Sequence, residues 1–348
     1  MPGECRAVNE LSPARGLLQR VEDPQVWLLL GTRRGDMNQL HALASALGLP
    51  FEAKALTYNR LRHLPFLRGA GLVMVSRETR MLIRPPWPRL IIGVGYASVH
   101  VAREIRRRSG GRTRIVQIGN PRTRVDDLDL VVTTPQYWRA PAANVLALPY
   151  PMGNPAKRAA PTPQEQAWLR AYPRPLRVVA VGGPARYWKI DHDALAGAVG
   201  KLAARSAEDE GSLVAAVSPR TTPDTRRLLS DLLTGECETL VEDFPRFAVL
   251  LAAADEIHVT ADSVSMLTEA ILTGKPVGMI PIARSLRGRV ARALHRVGIG
   301  GRPVPDFPYF WRQLAREARV GPVEDPVESE SKDSVTIAAR AVHRLLRE

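Results

Sequence analysis

The chain has 348 residues, 45% of them apolar, a formal net charge of +14 and only two cysteines. It is long for a single core, and Cys5 and Cys237 are too far apart for a disulfide framework or a metal-ligand spacing, which leaves a reducing, cytoplasmic setting as the default. No run is long enough to cross a bilayer, and residues 1–22 carry acids without an apolar segment, so 1–23 reads as a poorly ordered lead-in rather than a secretory signal.

In chain order, 26–30 predicts a strand, 31–38 a glycine-containing turn, 39–47 a helix stopped by Gly48, and 51–56 a second strand. Runs 72–75 and 90–94 predict further strands, 97–108 a helix ended by Gly110 and Gly111, and 114–118, 128–132 and 145–148 more strands. Seven prolines between 149 and 176 mark a linker, with a helix at 164–171 inside that stretch. The alternation then restarts: strands at 177–181, 213–217, 238–241, 256–259 and 277–280, helices at 191–207, 223–233, 247–254 and 285–297. Asp262 or Ser263 would cap a helix bearing Val264, Leu267 and Ile271 on one face and stopped by Gly274. An acidic connector, 324–333, leads to Ser334 and a last helix with Val335, Ala338, Val342 and Leu345 on one side. Strand–helix alternation of this kind predicts an α/β protein with two Rossmann-like, doubly wound parallel sheets. The expected divisions are 24–160, a linker at 161–176, 177–320, and a closing segment at 321–348.

Charge is unevenly distributed. Residues 60–124 hold fifteen arginines against Glu78 and Glu104, whereas 161–348 are nearly balanced. A field this lopsided predicts an anionic partner for the N-terminal half. Apolar residues interleave with the arginines, and Arg62, Phe66, Arg80, Arg84, Trp87 and Arg89 are the candidate contacts with an anionic membrane surface. Only Phe66 and Trp87 could stack on bases, which argues against nucleic acid as the specific partner.

Four turns follow strands at the sheet edge where α/β folds bind ligands. The first carries Gly35, Asp36 and Asn38, with Asp36 the candidate general base and His41 a weaker one. The second, Gly182-Gly183-Pro-Ala-Arg186, combines paired glycines with Arg186 and, further on, Lys189. The third holds Ser218, Arg220 and Thr221. The fourth holds Asp262, Ser263, Ser265 and Met266 at a helix N-terminus, with Glu269 almost two turns along. Gly93-Val-Gly95-Tyr-Ala-Ser98 lacks the third glycine of a dinucleotide fingerprint, so Gly93 and Gly95 read as tight-turn glycines. Asp127-Leu-Asp129 and Asp191-His-Asp193 read as strand entry and helix start, so no metal is implied.

The string Thr260-Ala-Asp-Ser-Val-Ser-Met266, then Glu269-Ala270, then Thr273-Gly-Lys-Pro-Val277, resembles the bacterial relatives of the plant mitochondrial-fission "elongated mitochondria" family. That family is in turn similar to glycosyltransferases of the GT-B fold. The resemblance implies two Rossmann-like domains across a cleft, with the last helix returning to the first. It also implies a nucleotide-sugar diphosphate and ribose at the Asp262–Glu269 segment. Gly35 and Asp36 match the family's N-terminal loop, but Met37 departs from it; Gly182-Gly183 and Ser218-Pro-Arg-Thr221 match two others, with Pro219 replacing an arginine. On this basis the expected function is metal-independent glycosyl transfer. The sugar would pass from a nucleotide-diphosphate donor, with no other cofactor, to a lipid or surface-glycan acceptor at the cytoplasmic membrane face. The alternatives are a non-catalytic adaptor recruiting protein or membrane partners, and a nucleic-acid binder working through the basic window.

Overall fold

A computed structural model describes residues 25–31, 34–60, 71–137, 141–153, 160–185, 187–297, 307–317, 319–328 and 334–348. The lead-in, Arg62, Phe66 and Arg186 lie outside the described residues.

The first half runs β1 (Val26–Leu30), α1 (Arg34–Leu47), β2 (Phe51–Ala55), a 3-10 turn (Gly71–Met74), α2 (Arg77–Leu82), β3 (Leu90–Val94) and α3 (Tyr96–Arg108). It continues through β4 (Arg114–Ile118), β5 (Leu130–Thr133) and β6 (Val145–Ala147). The six strands are all parallel, in the order β2-β1-β3-β4-β5-β6. Most positions of β1, β3, β4 and β5 are buried, because helices cover both faces of the sheet. On one face α1 places Leu40, Leu43 and Leu47 against Val26, Leu28 and Ile92. On the other, Val99, Ala102 and Ile105 of α3 pack with Trp27, Leu29 and Ile91.

The second half contains α4 (Pro163–Arg170), β7 (Leu176–Val181), β8 (Trp188–Ile190), α5 (His192–Glu208), β9 (Ser212–Val217) and α6 (Pro223–Leu232). Then come β10 (Glu238–Val241), α7 (Phe247–Ala253), β11 (Glu256–Thr260), α8 (Val264–Ile271), β12 (Pro276–Ile280), β13 (Ile282–Arg284) and α9 (Leu286–Arg296). The chain closes with α10 (Phe307–Arg316), β14 (Val327–Glu328) and α11 (Ser334–Arg347). The sheet order is β10-β9-β7-β11-β12-β14, parallel except for β14, while β8 and β13 form a separate antiparallel pair. Helix α11 crosses to the first sheet, where Val335, Ala338, Ala339 and Val342 join the cluster of Leu40, Leu43 and Leu47.

Several expectations need correction. Residues 72–75 are not a strand: Gly71, with φ +53°, opens a 3-10 turn, and only Val75 makes a bridge, to Tyr58. A four-residue apolar run is buried as well by one helical turn as by a strand, and here α3 covers it. The turn at 31–38 is shorter than expected, since α1 starts at Arg34 and takes Gly35, Asp36 and Asn38 into its first turns. An acid in the first turn suits the helix dipole. The basic segment at 77–82 is helical, capped by Ser76 through the Thr79 N–H at 3.2 Å. The acidic connector contributes β14 to the second sheet.

Candidate functional site

In each sheet the strand order reverses beside the first strand of that half: between β1 and β3, and between β7 and β11. Crevices for ligands open outside the carboxyl ends of strands at such points. The turns after β1 and β3, and those after β7 and β11, are four of the segments singled out above.

The three turns of the second sheet are tied into one unit. Thr260 Oγ1 accepts the Gly182 N–H at 2.8 Å and donates to Asp262 Oδ1 at 2.7 Å. Asp262 Oδ2 accepts the Gly183 N–H at 2.9 Å and a guanidinium N–H of Arg220 at 3.4 Å. Thr221 Oγ1 donates to Gly182 O at 2.6 Å and accepts the Ser218 N–H at 2.9 Å. Side chains on the two glycines would collide with this unit, Gly182 with the Asp262 carboxylate and Gly183 with the Arg220 backbone. Both positions therefore need glycine for close approach.

Asp262 and Thr221 thus face inward, each about 5% exposed. Burial pushes the Asp262 carboxyl up from its usual range, against the opposing pull of Thr260, the Gly183 N–H and Arg220. Neither Asp262 nor Ser263 caps α8 as the sequence suggests: Ser263 holds the N-cap position without a side-chain cap bond, and Asp262 is occupied by the glycine turn. The first backbone bond of α8 runs from Leu267 N–H to Ser263 O, which leaves the N–H groups of Val264, Ser265 and Met266 ahead of the helical ladder. Ser265 is exposed, while Met266 and Glu269 are half-buried.

Ser265 also marks where the two halves meet. A Cβ at Gly35, the second residue of α1, would stand 2.8 Å from Ser265 Oγ, the second residue of α8. The positive ends of two helices therefore converge on one place, with Asp36 and Asn38 on the α1 side. Gly95 lies at the next turn of the first sheet, with φ +78°, and its carbonyl accepts from Ser98 Oγ at 2.9 Å and Gln117 Nε2 at 3.1 Å.

Sequence reasoning missed three supports of this site. Thr260 anchors both Gly182 and Asp262, and an alternating strand pattern does not reveal that role. Gln117 is fully buried inside β4 and holds Gly95. Trp311 of α10 donates its indole N–H to Ala261 O at 3.0 Å. The signal for α10 was available as Phe307, Phe310, Trp311 and Leu314 at helical spacing.

The basic window is less free than its charge suggests. Arg103 pairs with Asp127, Arg106 and Arg114 with Asp129, Arg124 with Asp126, and Arg107 and Arg108 with Glu104. Three of those carboxylates lie just beyond residue 124. Asp127 and Asp129 thus have arginine partners, Asp191 caps α5 through the Ala194 N–H, and no metal-holding cluster occurs among the described residues. Arg89 is directed to Leu346 O at 3.3 Å, at the end of α11. Arg77, Arg80 and Arg84 line an open cavity of about 590 Å³ with Met81, Ile83, Pro85, Trp87 and Arg108. Arg77 and Arg80 act on the adjacent Glu78 carboxylate, but no described carboxylate lies at ion-pair distance from Arg77, Arg80 or Arg84. No helix of the described residues is long and apolar enough to cross a membrane.

This arrangement can be set beside known proteins. The UDP-GlcNAc 2-epimerase of Methanocaldococcus jannaschii superposes with a TM-score of 0.51 at 11% identity, covering 93% of this chain and 99% of that one. MnaA of S. aureus, solved with UDP, gives 0.50 at 13% identity, covering 92% and 95%. These likenesses bear on fold, which is GT-B: two facing α/β halves with parallel-dominated sheets. The mitochondrial fission protein ELM1 of Arabidopsis thaliana is 24% identical over 300 residues, 78% of this chain and 68% of its own length. The sequence profile described as Mitochondrial fission ELM1 matches residues 34–305, from the first turn of α1 to beyond α9, and so takes in Gly35, Asp36, Asn38 and the three turns of the second sheet; the chain belongs to that family.

Proposed function

We propose that this protein binds a nucleotide-diphosphate sugar in the cleft and transfers the sugar to a hydroxyl of a lipid or surface-glycan acceptor at a membrane face. The observation that carries the reading is the uncapped N-terminus of α8, with its Asp262 turned away and the start of α1 against it. Two helix termini and the half-exposed Arg220 favour a diphosphate at this place. In this reading the N–H groups of Ser265 and Met266, Ser265 Oγ and Arg220 contact phosphate, and Gly182 and Gly183 let the backbone approach it. Arg186 and Ser218 are further donor contacts, and Glu269 takes sugar hydroxyls. Asp262 and Thr221 position the turns, while Ser263 sets the helix entry.

The transfer step breaks the bond between the anomeric carbon and the diphosphate oxygen and forms one to the acceptor oxygen. Asp36 takes the acceptor proton, and the leaving nucleoside diphosphate carries the bonding electrons. Its charge is met by the α8 terminus and Arg220, with no call on a metal. Gly35, Asn38 and Gly95 line the acceptor side. Arg80, Arg84 and Trp87 offer the first half a phosphate-bearing surface.

A second reading, a GT-B-like adaptor without chemistry, is favoured by the family itself, whose plant member is called a fission protein. Thermal shift and calorimetry against UDP, GDP, CDP, ADP and their sugars test the first reading; UDP comes first, because a fold neighbour was solved with it. Binding by the wild type, lost in Ser265→Ala with Arg220→Ala, supports a donor site. Product formation that disappears in Asp36→Asn while binding persists supports transfer. Binding without turnover on any acceptor selects the adaptor, and no binding of any nucleotide rejects the donor site.

A further inference from the structure

Helix α9 faces the wrong way for a core helix. Leu286, Val290, Leu294 and, just past its end, Val297 recur at i, i+4, i+8 and i+11, a stripe about 80° wide on a helical wheel. A stripe of this kind normally points into the protein, yet these side chains are 69%, 50%, 42% and 68% exposed. The side that packs is Gly288, about 160° round from the middle of the stripe. It is buried, and a Cβ there would collide with Tyr187 O. Ser285 fixes this seat: its N–H donates to Tyr187 O at 3.0 Å and its Oγ accepts the Gly288 N–H at 3.1 Å.

The charge around the stripe has one sign. Residues 281–297 contain Arg284, Arg287, Arg289, Arg292 and Arg296 and no acid. Arg284 is engaged over the Trp188 ring, at 4.3 Å from its centroid. Arg287 and Arg289 border the stripe on its two sides; they and Arg292 are exposed, without a carboxylate partner among the described residues. A second copy of this helix would set arginine against arginine, which disfavours self-association through it. A surface that is apolar below and anionic above meets both features. Eleven residues span about 16 Å, half the apolar thickness of a bilayer, so the helix is suited to lie along the interface rather than cross it.

We propose that α9 is an interfacial anchor on an anionic lipid bilayer. Leu286, Val290, Leu294 and Val297 enter the acyl boundary, and Arg287 and Arg289, on the two flanks of the stripe, meet lipid phosphates. The helix follows β12 and β13 at the carboxyl edge of the second sheet, and its seat, Tyr187, is four residues past Gly183. Anchoring therefore brings the rim of the donor turns to the lipid surface. The inference deepens the membrane part of the reading above, but it rests on α9 alone and not on nucleotide binding.

The test is vesicle flotation of the full chain with phosphatidylcholine alone and with added phosphatidylglycerol. Nucleotide thermal shift is read in parallel. The wild type is expected to float with anionic vesicles and only weakly with neutral ones. Val290→Asp with Leu294→Asp should lower binding at least about tenfold, and Arg287→Gln with Arg289→Gln about thirtyfold. All four side chains are exposed, so melting temperature and nucleotide shift should stay unchanged in both variants. Loss of nucleotide binding with flotation intact would reject the donor reading and leave the anchor standing. The anchor is overturned if the wild type ignores anionic vesicles or if the aspartate pair floats like wild type. It is also overturned if Arg80→Gln with Arg84→Gln abolishes flotation while the α9 variants do not, or if the aspartate pair abolishes self-association in a protein that binds no vesicle.

Discussion

Asp262 and Ser265 are three residues apart and have opposite duties. Asp262 is buried and completes the bonding of Gly183, so Asp262→Ala strands a buried N–H and should cost about 2–3 kcal/mol in urea unfolding. Nucleotide binding should fall with it, because the glycine turn loses its tie. Ser265 is exposed and touches the α1 terminus, so Ser265→Ala should leave unfolding unchanged while weakening nucleotide binding about tenfold, as expected for one hydrogen bond to a charged group. Calorimetry and urea melts on the two variants separate the roles; equal stability loss in both would reject the division. The sequence shows both residues at a strand–turn–helix junction, and that much is readable because turns that follow buried strands are easy to find. The direction each side chain takes is not readable. Asp at a helix start looks like a cap, and only the neighbouring glycine turn, eighty residues away in sequence, draws it inward.

At the level of elements, the strand framework was readable because parallel strands buried on both faces appear as continuous apolar runs, as in 26–30 and 213–217. The aromatic spacing of α10 is a readable signal, but Pro303, Pro305 and Pro308 mask it where that face begins. The outward stripe of α9 was not readable, because periodicity fixes which residues share a face but not where that face points. Counting charge by window also misled, with Asp126, Asp127 and Asp129 just outside it.

Helix α4 supplies a test of electrostatics at this scale. Glu165 completes the capping box with Thr162 and also receives Arg246 N–H and guanidinium groups at the start of α7. The Arg246 guanidinium foremost holds its carboxyl well below the usual range. A depressed folded-state value means the unfolded chain binds the proton first. The stabilisation is thus complete above about pH 4.5, the ordinary glutamic acid value, and is lost as pH falls toward the folded one. Glu165→Gln should lower the urea midpoint at pH 7 and make the remaining stability fall less steeply between pH 4.5 and 3. A wild-type slope retained in the variant would assign the acid sensitivity elsewhere.

Across the whole molecule, the chain crosses between the halves more than once, and α11 is the crossing that carries apolar surface. Val342 is fully buried with Ala338 among Leu40, Leu43 and Leu47, while Ser334 Oγ donates to Tyr150 O at 3.0 Å. Among the described residues, Gly35 against Ser265 is a polar and small junction, and α10 also packs against the turn at Pro135–Tyr137. The first half therefore depends on a helix delivered by the end of the chain. Val342→Ala removes two methyl groups and should cost about 1–2 kcal/mol. Val342→Asp buries an unpaired carboxylate and should cost about 3–5 kcal/mol, most of it from the first sheet. The consequence is a change in cooperativity as well as in midpoint: urea unfolding of Val342→Asp should separate into two steps. Trp27 and Trp87 report the first half, and Trp168, Trp188 and Trp311 the second. Single-tryptophan variants should show the first pair emerging early and the other three later. A bound nucleotide should raise only the later midpoint if its phosphates are held mainly by the second-sheet turns. Coincident transitions at every tryptophan would mean instead that the remaining contacts between the halves, and not α11, couple the two sheets.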